Sequence, residues 1–102
     1  MSLSITISNG DPNPNGTAAV MSRTGSEHPN SATWRALDKD YEVSLPSNVW
    51  SAPQGHQLQF TATQQETSVA YTLKSNASVG EQEYDIEPNP TMTGPPAVLV
   101  EP

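Results

Sequence analysis

Apolar and polar residues alternate along most of this chain with a period of two rather than 3.6. Successive side chains of a strand point to opposite faces, so this pattern sets one buried face against one wet face. Leu3, Ile5 and Ile7 alternate with Ser2, Ser4, Thr6 and Ser8, which predicts a first strand. Residues 9–16 (NGDPNPNG) read as pure turn, and a weaker strand is expected over Thr17–Ser22. Residues 23–31 carry Gly and Pro breaks and read as a loop. Thr33–Leu37 reads as the next strand, Asp38 and Lys39 as a turn, and Tyr41, Val43 and Leu45 as an inward face that Pro46 ends. Residues 46–56 are irregular.

The sharpest alternation follows. Leu58, Phe60 and Ala62 share one face of Gln57–Gln64, with Gln57, Gln59, Thr61 and Thr63 on the other. Val69, Tyr71 and Leu73 repeat the pattern after residues 65–67, which predicts a hairpin. Glu81–Glu87 reads as one strand with Tyr84 and Ile86 inward, and Ala97–Glu101 as a last short strand after the Pro/Gly-rich segment 88–96. No helical stripe appears. Seven to nine short strands spaced by turns predict an all-β chain, a β-sandwich or barrel forming a single domain over residues 1–102.

Composition changes this picture in one respect. Leu, Ile, Val and Phe make up about 17% of residues, below the roughly 20% at which disorder becomes a contender. A folded core must therefore draw on Ala, Thr, Tyr and Trp for volume. Trp34, inside a predicted strand, is the expected anchor. The chain has no cysteine, which removes disulfides, thiolate nucleophiles and thiolate metal sites. Its net charge is −7, with Arg23, Arg35, Lys39 and Lys74 as the only basic side chains. Phosphate backbones need several such cations, so neither nucleic acid nor an anionic membrane is an expected partner. No apolar run reaches the ~18 residues of a membrane span. No leader pattern is read at the start, and localisation is left open.

Candidate chemistry is sparse. Asp11, Asn13 and Asn15, followed by Gly16, match the first half of a calcium loop, with oxygen ligands at alternate positions and Gly at the bend. The twelfth position of that loop is Ser22 rather than Glu, and prolines stand between the ligands. A string of Asx-type turns explains the same residues. Glu81, Glu83, Asp85 and Glu87 share one face if they lie on one strand, as a docking strip for a basic partner or, more simply, a charged edge that deters pairing. Asp38, Asp40 and Glu42 form a second acidic group beside Lys39 and Arg35. Asn15 and Asn76 head glycosylation-type triplets that arise readily by chance in so Ser/Thr-rich a chain.

Trp50 lies in an irregular segment near Asn48, Gln54 and His56. An aromatic face beside amides and an imidazole suits stacking on a sugar or a partner, and the four are candidate ligand-binding residues. Closing the open end of the core is the plainer role for that ring. His28 and His56 sit in loops, and nothing resembles a nucleophile elbow.

The stretch from Thr33-Trp34-Arg35 through residues 38–46 (DKDYEVSLP), with residues 84–87 (YDIE) and 97–101 (AVLVE), resembles the central and closing strands of cupredoxin-like domains. That resemblance implies a Greek-key β-sandwich. It breaks at the metal, since the copper histidine falls near Glu42 and the copper cysteine has no counterpart. An immunoglobulin-like sandwich is the alternative. The expected function is a non-catalytic binding or interaction module without a cofactor, with a protein or glycan partner or a second copy of itself. A calcium-stabilised module and a small hydrolase built on His28 or His56 are the alternatives.

Overall fold

The strongest alternations become strands. The computed structural model describes residues 1–89 and 94–102. Among these residues there is no helix, and eleven short strands form three sheets. β1 (Leu3–Ser8), β2 (Asp11–Asn13), β4 (Ser31–Ala36), β6 (Trp50–Ser51) and β8 (Tyr71–Leu73) form a five-stranded sheet in the order β2-β1-β4-β8-β6. β5 (Tyr41–Ser44), β7 (Gln59–Ala62) and β10 (Asp85–Glu87) form a second sheet, β10-β5-β7. β3 (Gly16–Ser22), β9 (Gly80–Glu83) and β11 (Ala97–Glu101) form the third, β3-β11-β9. β1 runs parallel to β4 and β3 parallel to β11, while the other pairings are antiparallel.

One connected core serves all three sheets. Ile5 and Ile7 of β1, Ala19 and Met21 of β3, Tyr41 and Val43 of β5, and Val98 and Val100 of β11 all belong to it. The shortage of branched aliphatics is met by rings. Four of the other five aromatic residues converge on Trp34, which is fully buried. Trp50, Tyr84, Phe60 and Tyr71 meet its indole edge-on at centroid distances of 5.4, 5.6, 5.7 and 6.1 Å. Such geometry sets ring edges against π faces and adds ~0.5–1.5 kcal/mol per pair beyond burial. Ala32 and Ala36 flank Trp34 on the inward face of β4, and these small neighbours leave room for the indole. The Trp34 Nε1–H donates to the Tyr84 hydroxyl at 3.2 Å.

Several expectations need correction. Gln57–Leu73 is not a hairpin, because β7 pairs with β5 and β8 pairs with β4 and β6. The connection 63–69 instead runs along the upper part of β4. Ala36 donates its N–H to the Thr63 carbonyl, and Ser68 donates its own to the Trp34 carbonyl. Val69 therefore stands outside the strand, 37% exposed, and not on an inward face. Glu81–Glu87 is not one strand either. The chain leaves one sheet for another at Tyr84, whose buried ring joins the core and whose N–H donates to the Pro96 carbonyl. The turn over residues 9–16 hides a hairpin. Ser8 faces Asp11 across a two-residue loop in which Asn9 and Gly10 both have positive φ, 54° and 81°. That is the Asn-Gly signature of a type I′ turn. Of the predicted Pro/Gly-rich segment 88–96, residues 90–93 lie outside the described residues.

The Asn9–Gly10 turn is locked by Tyr41. Gly10 donates its N–H to the Tyr41 hydroxyl at 3.0 Å, and that hydroxyl donates to both carboxylate oxygens of Asp38 at 2.9 and 3.0 Å. Asn9 donates its own N–H to Asp38 at 3.1 Å. This Asn9 amide is the main cause that holds the Asp38 carboxyl below its ordinary range, opposed by desolvation and aided by the Tyr41 hydroxyl.

Candidate functional site

The predicted ligand residues do not come together. Trp50 is fully buried in β6, paired with Leu73 and packed edge-on to Trp34, so no sugar has access to its face. This corrects the stacking role and agrees with the core-closing one. Among the described residues its Nε1–H has no hydrogen-bond partner, a cost of ~1–3 kcal/mol for a buried donor. Asn48 and Gln54 are exposed on the same irregular segment. His56 alone lines a recess.

The calcium loop does not form as predicted. Asp11 and Asn13 lie in a strand paired with Ser8 and Thr6, with Pro12 turned inward between them. An extended strand spaces such alternate side chains by ~7 Å, whereas a calcium loop curls its oxygens around one point. The Oδ1 of Asn15 accepts the Ala97 N–H at 2.8 Å and ties β11 to the start of β3. Among the described residues, no group of three or more His, Cys, Asp or Glu side chains is placed to hold a metal ion.

The site that does form sits beside β7. His56, Phe60, Thr61, Thr63, Glu66 and Thr67, with Ser68, Val69 and Tyr71, line a recess of about 230 Å³. Phe60 is half-buried and stacks on buried Tyr71, centroids 4.5 Å apart and planes 13° from parallel. The Tyr71 hydroxyl donates to the Gln57 carbonyl at 3.0 Å, tying β8 to the segment that leads into β7. Burial raises the Tyr71 hydroxyl above its ordinary pKa, so it stays a donor at neutral pH. Phe60 and Thr61 are consecutive, with side chains on opposite faces of β7, yet both line the recess. The hollow therefore lies alongside the strand's edge.

The far wall is braced. The Gln64 side-chain amide donates to the Leu37 carbonyl at 3.1 Å, and Arg35 donates to the Gln64 carbonyl at 3.0 Å. Ser68 Oγ accepts the Trp34 N–H at 2.9 Å and donates to the Val69 carbonyl at 2.9 Å. His56, Glu66 and Ser68 share this recess, but a nucleophile must hand its proton to a base. Here the serine hydroxyl is committed to the backbone on both counts. His28 stands elsewhere, 3.5 Å from Glu101 in a half-exposed ion pair, an arrangement that contributes little.

Larger hollows exist. One of about 540 Å³ lies between Asp85–Asn89 and Gly94–Pro96, but the chain joining its walls is residues 90–93, outside those described. Gln59 and Thr61 of β7 and Thr72 of β8 belong to different sheets, so their polar side chains do not form one face. Sequence reasoning placed Phe60 in the core and passed over Glu66, Ser68 and Tyr71 as site residues. The available signal was a lone Phe in residues 57–65 (QLQFTATQQ), a run with no charge, no proline and no glycine. No protein-family model, curated protein or solved structure matches this chain.

Proposed function

We propose that this protein is a non-catalytic binding module that engages its ligand at the recess beside β7. Its strands are read as a Greek-key β-sandwich of the cupredoxin-like or immunoglobulin-like kind. The crossovers that bring β1 beside β4 and β3 beside β11, both parallel, support that topology. The observation that carries the functional reading is the Phe60–Tyr71 stack, in which a half-buried Phe60 backed by buried Tyr71 keeps apolar surface at the solvent among Thr, Gln and acidic neighbours. Binding sites pair an apolar surface with a few convergent polar groups, and here these are His56, Thr61, Thr63 and Glu66. A volume of about 230 Å³ is below the ~300 Å³ where drug-sized pockets begin. It suits one ring or one side chain of a larger partner.

The test is chemical-shift mapping on the labelled chain with small probes, monosaccharides on one side and capped single amino acids on the other. Perturbations confined to His56, residues 60–63 and residues 66–71 are expected. Probes that gather elsewhere, or nowhere at millimolar concentration, refute the site. Ester, glycoside and amide reporter substrates are expected to show no turnover, and any turnover lost on His56→Ala would make this an enzyme.

A further inference from the structure

The recess borders a sheet edge, and the edges of this molecule are unequal. β2 carries Pro12, with Pro14 just beyond it. β6 is two residues long, and Pro53 follows soon after. β9 and β10 present Glu81, Glu83, Asp85 and Glu87, with Pro88 closing the run. β3 breaks register between Gly16 and Val20, and the Ser22 N–H at its end is taken by the Pro29 carbonyl. Prolines, brevity, charge and irregular register are the devices by which native sheets prevent strand addition. β7 is also short, at four residues, but it carries no proline, charge or register break. Residues 57–65 contain no charge, proline or glycine, and the pairing of β7 with β5 is regular.

The unpaired backbone groups of β7 can be assigned. Leu58 accepts the Leu45 N–H at 2.9 Å and Phe60 stands opposite Val43, so the even-numbered residues turn their backbone groups to β5. Gln59 and Thr61 turn their N–H and C=O groups the other way. No strand pairs with that side among the described residues. Further along, the outward Thr63 carbonyl meets the Ala36 N–H, so the open stretch stops at the C-terminal end of β4.

We propose that this edge takes up an extended peptide segment as an added strand, with one apolar side chain of that segment filling the recess against Phe60. The inference rests on the recess being a binding site and names its partner. An added strand obtains main-chain hydrogen bonds from the edge and side-chain specificity from adjoining pockets, and Gln59, Thr61 and the recess supply both. The charges select the partner. Glu66 lines the recess, Glu42 accepts a hydrogen bond from Thr61 Oγ1 at 3.3 Å, and no Lys or Arg is among the lining residues, Arg35 being held on the Gln64 carbonyl. The peptide is therefore basic around its apolar residue. A second copy pairing through its own β7 fits less well. Its inward-facing Leu58 and Phe60 already pack against its own core and leave the neighbour's recess unfilled.

The probe is a capped heptapeptide alternating lysine with threonine or leucine, leucine at its centre, titrated into the labelled full chain. The Gln59 and Thr61 amides are expected to slow in hydrogen exchange by about tenfold or more at saturation, with shifts across the recess. Thr61→Pro removes the outward N–H at a position where an edge strand tolerates proline, together with the exposed hydroxyl bonded to Glu42, and is expected to abolish binding. Thr61→Val removes that hydroxyl alone and is expected to spare it. Should the proline variant misfold, the wild-type chain still decides. N-methylation of the peptide amides that face β7 is expected to abolish binding, and N-methylation of the others to spare it. Recess shifts without protection of Gln59 and Thr61 overturn strand addition and leave the binding site standing. Indifference to N-methylation, no binding at millimolar peptide, or binding of monosaccharides alone also overturns it. Protection of the same amides without peptide, with a dimer mass in sedimentation, assigns the edge to a second copy and overturns it too.

Discussion

Two tyrosines anchor two ends of this molecule in opposite ways. At the Asn9–Gly10 turn the Tyr41 hydroxyl accepts from Gly10 and donates to Asp38, so ring and hydroxyl are both enclosed. At the recess the Tyr71 hydroxyl donates once, to Gln57, and its ring is covered by a Phe60 that is itself half in water. The first is a closed joint that holds the β1–β2 hairpin to β5 of the second sheet. The second is a floor left accessible. The difference teaches where the chain puts stability and where it keeps apolar surface in reserve.

The largest test removes what the recess stands on. Trp34→Ala takes away the indole that Phe60 and Tyr71 both meet edge-on, and ~3–5 kcal/mol of stability is expected to go with it. Urea denaturation measures this. A loss below ~1 kcal/mol would show that the aromatic cluster is not the core. Next comes the closed joint. Tyr41→Phe leaves the buried Gly10 N–H without its acceptor, and ~1–3 kcal/mol is expected. A neutral outcome would erase the contrast with the recess.

The joint also has a pH signature. The Asp38 carboxyl is held below its unfolded value of 3.8, chiefly by the Asn9 N–H. Its stabilisation is fully present above that value and is lost as pH falls through the lowered one. Asp38→Asn is expected to flatten the part of the acid-unfolding curve below pH 3.8 and leave it unchanged above pH 6 apart from a constant offset. An unaltered curve sinks the assignment. At the other extreme, burial raises the hydroxyls of Tyr41, Tyr71 and Tyr84 alike. Proton retention favours the fold below 10.0, and stability is expected to decline as pH climbs above that value. A melting temperature that stays flat under alkali would contradict it. The smallest effect belongs to the recess. Phe60→Leu keeps an apolar group of similar size at a half-exposed position and is expected to cost under ~1.5 kcal/mol. Thermal melts of the two variants side by side show whether the open end tolerates more than the closed one.

The alternation of Leu3, Ile5 and Ile7, of Tyr41 and Val43, and of Phe60 and Ala62 already contained the longer strands of the chain, though not β2 or β6, because a period of two has one structural meaning on a half-buried surface. It contained the burial of Trp34 as well. Partner choice was not in it. Residues 57–64 and 69–73 read as a hairpin, yet the chain between them lies along β4 and holds the two strands in different sheets. Periodicity states which face is wet but not which neighbour a strand bonds to, and that depends on backbone donors finding acceptors far away in the chain. The recess follows from the same cause. Only the tertiary arrangement decided that Phe60 stacks on Tyr71 beside an edge that no strand among the described residues pairs with, because an edge exists only once all the other pairings have been made.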